Sequence, residues 1–325
     1  MLKILVVGGA GYIGSHMVKM LGYLGCDVMV LDNLSSGYRE AILCGEFVEG
    51  DAANIQLLDR LLSRGFDAVM HFASFIQVGE SMGSPQKYYE NNLINTINLL
   101  NSMHKFKVRY FIFSSTAAVF GSPRYIPIDE LHPMAPINPY GRTKLMVEQV
   151  LADYDFAYGI KSVCLRYFNA AGADPEGQLG ERHDPETHLI PLVLQAASGR
   201  RGCINVFGRD YDTKDGTCIR DYIHVQDLCS AHWLALQSLM SGDESQSYNL
   251  GNGSGFSVQE VIEAARRITG ADITVVDKDR RPGDPPYLIA DSNLARRKLG
   301  WVTQYSDLDT IIEHAWKWEK SFHNR

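Results

Sequence analysis

Thr116, Tyr140 and Lys144 are the residues whose types and spacing could move a proton. In "PINPYGRTKLM" (136–146), Tyr140 and Lys144 stand four positions apart. That is one helical turn, so a helix sets the phenol beside the ammonium. Pro139, just upstream, is a helix-start signal. A free tyrosine titrates at about 10, and bringing it near neutrality means lowering it by about three units, roughly 4 kcal/mol. A cation about 5 Å away contributes about 3 kcal/mol at an effective dielectric of 20. Two readings are open for the pair alone: a structural contact with a solvated ammonium, or a proton-transfer device.

A second constellation lies at the start of the chain. "VVGGAGYIGSH" follows an apolar run and holds two overlapping glycine registers, one at Gly8, Gly11 and Gly14, the other at Gly9, Gly11 and Gly14. Either lets backbone approach a pyrophosphate at a helix N-terminus, where amide donors and the helix dipole favour anions. Asp32 ends the next apolar run, 18 residues after Gly14. A carboxylate there accepts the ribose hydroxyls of NAD and repels a 2'-phosphate, so NAD is expected rather than NADP.

These groups must be positioned by regular elements. The apolar runs "KILVV" (3–7), "DVMVLD" (27–32), "DAVMHFA" (67–73), "RYFIFSS" (109–115) and "KSVCLRYF" (161–168) alternate with segments of helical period such as 85–104 and 138–158. This is the pattern of an α/β fold, a Rossmann-type doubly wound parallel sheet with both faces covered. Ligands of such sheets sit at the carboxyl ends of strands. "FSSTAAVFG" and "RYFNAAG" occupy two such ends. Thr116 is thereby placed to hydrogen-bond a reacting hydroxyl, with a strand-end cap as its plainer role. These contexts favour the proton-transfer reading. Cys164, in "SVCLRYF", reads as core.

After about residue 170 the chain becomes polar and loop-rich, as in "GADPEGQLGERHDPETHL". A second, smaller α/β unit starts there. The helix pattern at 224–240 and the strand pattern "SYNLG" at 247–251 return to the first sheet. The expected division is 1–170 with 219–250 for the cofactor, and 171–218 with 251–325 for a substrate.

With 325 residues, 45% apolar and 21% charged, the chain can bury one large core or two smaller ones. Its formal charge of -7 argues against nucleic-acid and anionic-membrane partners. An anionic ligand then needs local cations. No apolar run is long enough for a signal segment or a membrane span. Six cysteines without a C-x-x-C pair suggest neither zinc nor disulfides, so no metal and a reducing, cytoplasmic setting are expected.

The glycine turn, the strand-end threonine and Y-x-x-x-K together resemble the extended short-chain dehydrogenase/reductases. More narrowly, "GGAGYIGSH", "LDNLSSG", "HFA", "YYENN", "NPYGRTKLMVEQ", "LRYFNAAGA", "DGTCIRDYIHVQDL" and "YNLGNG" resemble the UDP-glucose 4-epimerase subfamily, from residue 4 to about residue 301. The resemblance implies a UDP-hexose substrate, bound NAD and a homodimer formed through the helices at 85–104 and 138–158. It places the amides of Tyr12 and Ile13 on the pyrophosphate and Asp32, with Asn33 beside it, at the adenosine ribose. Asp51 and Ala52 would flank adenine; Phe72, Ala73 and Asn91 would line the cofactor, and Phe168 would lie near the nicotinamide. Thr116, Tyr140 and Lys144 match the catalytic set. For the sugar nucleotide it implies Asn169, His188, Leu189, Asn205, Phe207, Arg220, Arg281 and Asp284. Arg220 and Arg281 are the local cations for the diphosphate, since guanidinium suits its oxygens.

The implied reaction oxidises C4 of the hexose, turns the 4-keto sugar and returns hydride to its other face. Three departures stand out. Val7 replaces a threonine, Ile76 replaces a lysine of some relatives, and Leu288 stands about where a tyrosine narrows the sugar pocket, with Tyr287 adjacent. N-acetylated and uronic sugars are therefore alternative substrates. A related 4,6-dehydratase would carry Asp-Glu after the threonine, whereas Ala117 and Ala118 follow Thr116. A non-catalytic NAD sensor would be expected to lack the tyrosine or the lysine.

Overall fold

The computed structural model describes residues 1–281 and 283–323. Seven strands form one sheet: β1 (Lys3–Val7), β2 (Asp27–Asp32), β3 (Glu46–Glu49), β4 (Ala68–His71), β5 (Tyr110–Thr116), β6 (Lys161–Tyr167) and β7 (Gln246–Leu250). Their order is β7-β6-β5-β4-β1-β2-β3, and every neighbouring pair is parallel. From β1 the chain winds outward to β3, then returns to β4 and winds the other way. The reversal between β1 and β4 opens a crevice at the carboxyl ends of the strands. This is the doubly wound sheet expected from the sequence. β3 was not expected, because "EFVE" offers only two apolar residues between glutamates.

The helices are α1 (Tyr12–Tyr23), α2 (Ile55–Leu62), α3 (Asn95–Lys105), α4 (Pro139–Tyr158), α5 (Leu189–Ala197), α6 (Val225–Met240), α7 (Val258–Thr269) and α8 (Leu308–His323), with shorter pieces between them. Successive strand residues point to opposite faces. Ile4, Val6, Val28 and Val30 meet Met17, Val18 and Leu21 of α1 and Leu228 and Leu236 of α6. Leu5, Val7, Met29 and Leu31 meet Leu58 and Leu61 of α2, Leu99 and Leu100 of α3, and Val147 and Leu151 of α4. Both faces are covered, which is why the strands are apolar at nearly every position. Each such side chain contributes about 1.5–3 kcal/mol on burial. Cys164 lies in the second of these cores.

α4 begins as its sequence foretold. The Asn138 side chain accepts the Gly141 amide proton at 2.8 Å, Pro139 takes the first turn, and Gly159 ends the helix at φ 67°. The segment at 85–104 departs from the single helix expected of it. It is a short helix, Pro85–Tyr88, then a widened π turn, Tyr89–Ile94, then α3. Within that turn the buried Asn92 side chain accepts from the Phe75 amide at 2.9 Å and donates to the Phe75 carbonyl at 3.0 Å. A local widening of this kind re-aims side chains.

The second, smaller α/β unit packs α5, α7 and α8 around Val193, Leu194, Val261, Ile262, Ile311 and Ile312. It includes the parallel strand pair Ile204–Phe207 and Val275–Lys278. Among the described residues, no helix is long and apolar enough to cross a membrane.

Candidate active site

A cavity of about 710 Å³ lies over the carboxyl ends of the strands, between the sheet and the second unit. The glycine turn forms one end. Gly8 has φ +83°, and a Cβ there would meet the Ala73 nitrogen at 2.3 Å; one on Gly14 would meet the Gly8 carbonyl oxygen at 2.1 Å. These two glycines press the turn against the end of β4 and α1 against the turn. Gly11 differs, because a Cβ on it would make only an ordinary 3.6 Å contact within the protein. It lines the cavity and precedes α1 without a side-chain cap. Gly11, Tyr12, Ile13 and Gly14 thus bring the first, uncapped amides of a 12-residue helix to the cavity wall, a donor set that fits a diphosphate. The Tyr12 phenol points elsewhere and donates to the Gly172 carbonyl at 2.7 Å.

Asp32 is held at the end of β2 by two amides: Ala10 N–H donates to Oδ2 at 2.8 Å and Leu34 N–H to Oδ1 at 2.9 Å. Burial raises its carboxyl above the usual value, against the pull of those amides. Asn33 donates to Asp51 at 2.7 Å. Both line the cavity, as do Ala52, Phe72, Ala73, Asn91 and Phe168. Every residue the sequence assigned to the cofactor therefore lines this cavity. The acceptor Asp32, the helix amides and an apolar floor fit an NAD molecule.

Thr116, Tyr140 and Lys144 line the same cavity. Thr116 Oγ1 accepts the Ala118 amide at 3.1 Å. Lys144 is almost fully buried and donates to Ser74 Oγ and to the Ser114 carbonyl, each at 2.7 Å. Its nitrogen also sits 4.8 Å from the centre of the Phe113 ring. Burial pulls its ammonium down to about 7, with Glu148, one turn further along α4, acting the other way. Burial likewise raises the Tyr140 phenol, and a hydrogen bond with Thr116 opposes that rise. The phenol-lowering effect expected of Lys144 is thus not visible in the protein alone, where desolvation outweighs the Thr116 hydrogen bond. Ser74, Ser114 and Tyr167 were not singled out from the sequence. Tyr167 is hydrogen-bonded to Ser114 behind the lysine. Their only signal is their place at strand ends, in "HFAS", "FSST" and "RYFN".

Asn169, His188, Leu189, Arg220 and Asp284 also line the cavity. Arg220 donates to the Ile219 and Pro285 carbonyls at 2.8 and 2.9 Å and pairs with Asp284 at 3.5 Å. Asn205, Phe207 and Arg281 are not brought to the lining. Phe207 is covered instead by the Arg281 guanidinium, 3.9 Å from the ring centre. Leu288 and Ile76 line the cavity, and Tyr287 does not. The sequence suggested no metal, yet Glu181, His183, Glu186 and His188 converge beside the cavity. For His188, burial opposes the charged form but the Glu181 carboxylate outweighs it, raising the imidazole to about 9.

Residues 4–251 match the NAD dependent epimerase/dehydratase family. The UDP-glucose 4-epimerase of Halalkalibacterium halodurans is 52% identical over 320 residues, 98% of this chain and 96% of that protein. Among solved structures, UDP-glucose 4-epimerase from Brucella ovis in complex with NAD superposes with a TM-score of 0.95 at 50% identity, covering 97% of this chain and 98% of that one. The Bifidobacterium longum UDP-glucose 4-epimerase in complex with NAD+ and UDP gives 0.93 at 38% identity, with 99% of each chain covered.

Proposed function

This chain belongs to the NAD dependent epimerase/dehydratase family, and on that premise we propose that it interconverts UDP-galactose and UDP-glucose with NAD as its cofactor. The observation that carries the proposal is the junction, in one cavity, of the uncapped α1 amides and Asp32 with Thr116, Tyr140 and Lys144. NAD, when bound, supplies the oxidant that takes hydride from C4 of the hexose and gives it back.

The chain's own groups do the rest. Tyr140 accepts the proton of the 4-hydroxyl and returns it once the 4-keto sugar has turned its other face. Thr116, hydrogen-bonded to the phenol, relays or steadies that proton. Lys144, anchored on Ser74 and Ser114, puts a positive charge beneath the site and offers a donor to the nicotinamide ribose. Proton and hydride both return, so substrate and product differ only in configuration at C4. Arg220 and Asp284 grip the nucleotide while the hexose moves. Ala117 and Ala118 line the cavity after Thr116, and neither can act as the acid a dehydratase needs.

The quaternary and cellular setting follows the same reading. Ile94, Met146, Phe156 and Tyr158 expose apolar surface on the π turn and α4, which supports a homodimer formed there. All six cysteines are free thiols, in keeping with the cytoplasm. Purified protein incubated with UDP-galactose should form UDP-glucose, without added NAD if the cofactor is retained and with it otherwise. Failure under both conditions would overturn the assignment.

A further inference from the structure

The loop leading into α5 carries Glu181, His183, Glu186 and His188, an E-x-H-x-x-E-x-H spacing that the reaction does not use as a set. One ligand atom from each lies within 4.8 Å of the others. The two carboxylates are withdrawn from water, with side chains 5% and 6% exposed. His183 Nδ1 is buried and has no hydrogen-bond partner. Yet Glu181 Oε1 and Glu186 Oε2 each stand 3.4 Å from it. Glu181 Oε1 is taken by a hydrogen bond with His188 Nδ1, and the buried His183 nitrogen would ordinarily close on the remaining oxygen, Glu186 Oε2, because unsatisfied buried polar atoms are costly.

The separation has a simple chemical meaning. Ligand atoms arranged tetrahedrally around zinc at bonds of about 2.0–2.1 Å stand roughly 3.4 Å apart; the two His183 contacts have that spacing, whereas Glu181 Oε1 and His188 Nδ1 are hydrogen-bonded to each other, a contact that an ion would replace. The second oxygen of Glu186 is already engaged: Oε1 accepts the Thr187 and His188 amides at 2.8 and 2.9 Å, which aims Oε2 at His183. The Glu181 carbonyl accepts the indole N–H of Trp318 from α8 at 3.2 Å, tying that residue's backbone to the second unit. Outer partners of this kind orient metal ligands. Two carboxylates and two imidazoles, His188 giving up the proton it shares with Glu181 when the ion binds, match the donor preference of a divalent zinc-type ion.

We propose that Glu181, His183, Glu186 and His188 bind one Zn2+-type cation that fastens the 181–188 loop to the wall of the active-site cavity. All four positions come from the protein, which makes the site closed and structural, with no open place for a reacting water. Glu181, His183 and His188 line the cavity, and His188 precedes α5, so the ion sets the wall on which Leu189 and the start of α5 sit.

Full-length protein stripped with a chelator and titrated with Zn2+ by calorimetry should take up one equivalent per chain. Replacing Zn2+ by Co2+ should give the visible absorption of a tetrahedral nitrogen and oxygen site. His183→Gln and Glu186→Gln should each weaken uptake by at least about tenfold, the lower end of what even outer-shell partners of a metal cost. Absence of stoichiometric uptake by the wild-type chain, an octahedral cobalt spectrum, or unchanged affinity in both variants would overturn the proposal. The wild-type titration and cobalt spectrum decide the matter even if a variant fails to fold.

Discussion

The Lys144 ammonium lies 6.0 Å from the centre of the Tyr140 ring, while its protons go to Ser74 and Ser114. The lysine therefore makes no direct hydrogen bond to the phenol. Burial raises Tyr140 and lowers Lys144, so in the protein alone it works against the charged form of each. On the proposed mechanism, a bound oxidised nicotinamide would add the positive charge that favours the phenolate.

Tyr140→Phe keeps the ring and its packing but removes the proton acceptor. Turnover of UDP-galactose should fall by at least about a hundredfold, a typical contribution of general acid–base catalysis. A melting temperature close to wild type would show that the fold is intact. Near-normal turnover in that folded variant would remove Tyr140 from the role.

Lys144 makes a prediction about stability. Its folded value of about 7 lies below the ordinary 10.5, so between those limits the unfolded chain binds the extra proton. Stability from this group thus rises with pH through that window and is lowest below it. Lys144→Met removes the dependence. In cofactor-free protein, the stability of wild type relative to the variant should increase from pH 7 to pH 9 in urea denaturation. A flat difference would mean that the ammonium is not penalised by its burial.

Asp32→Asn keeps the shape and one acceptor oxygen but loses the charge. Hydrogen bonds to a charged group are worth about 1.5–3 kcal/mol, so NAD affinity should drop by roughly tenfold or more. Discrimination against NADP should narrow, since the repulsion of a 2'-phosphate is gone. Titration with both nucleotides, followed by protein fluorescence, reads the two effects. Unchanged preference for NAD would place the selectivity elsewhere.

Leu288 faces the cavity and its neighbour Tyr287 does not. Leu288→Tyr should therefore shrink the sugar pocket, while UDP-galactose turnover stays within about threefold of wild type. Any turnover of UDP-N-acetylglucosamine should fall in the variant, because a pocket narrowed by a ring penalises the added acetamide. Equal loss for both sugars would show that position 288 supports the fold of the site instead of its width.

The sheet was legible because each of its long strands is buried on both faces and reads as an unbroken apolar run, as in "KILVV" and "RYFIFSS". The glycine turn, Asp32 and the Tyr140–Lys144 spacing were legible for a related reason: local geometry dictates them within one strand–turn–helix or one helical turn. β3 escaped because burial of two residues leaves too short a pattern. The break at Tyr89–Ile94 escaped because it answers to the Phe75 backbone, a partner 17 residues from Asn92.

By itself, then, the sequence determined the layers, the cofactor turn and the face of α4 that carries the tyrosine and the lysine, all of which are set by contacts between near neighbours in the chain. Only the tertiary structure decided where the lysine's protons go, that Leu288 and not Tyr287 meets the cavity, that Arg281 lies over Phe207 away from the lining, and that two histidines and two glutamates converge on one point. Those outcomes depend on distances between elements far apart in sequence and on the balance of burial against charge. No spacing rule encodes that balance.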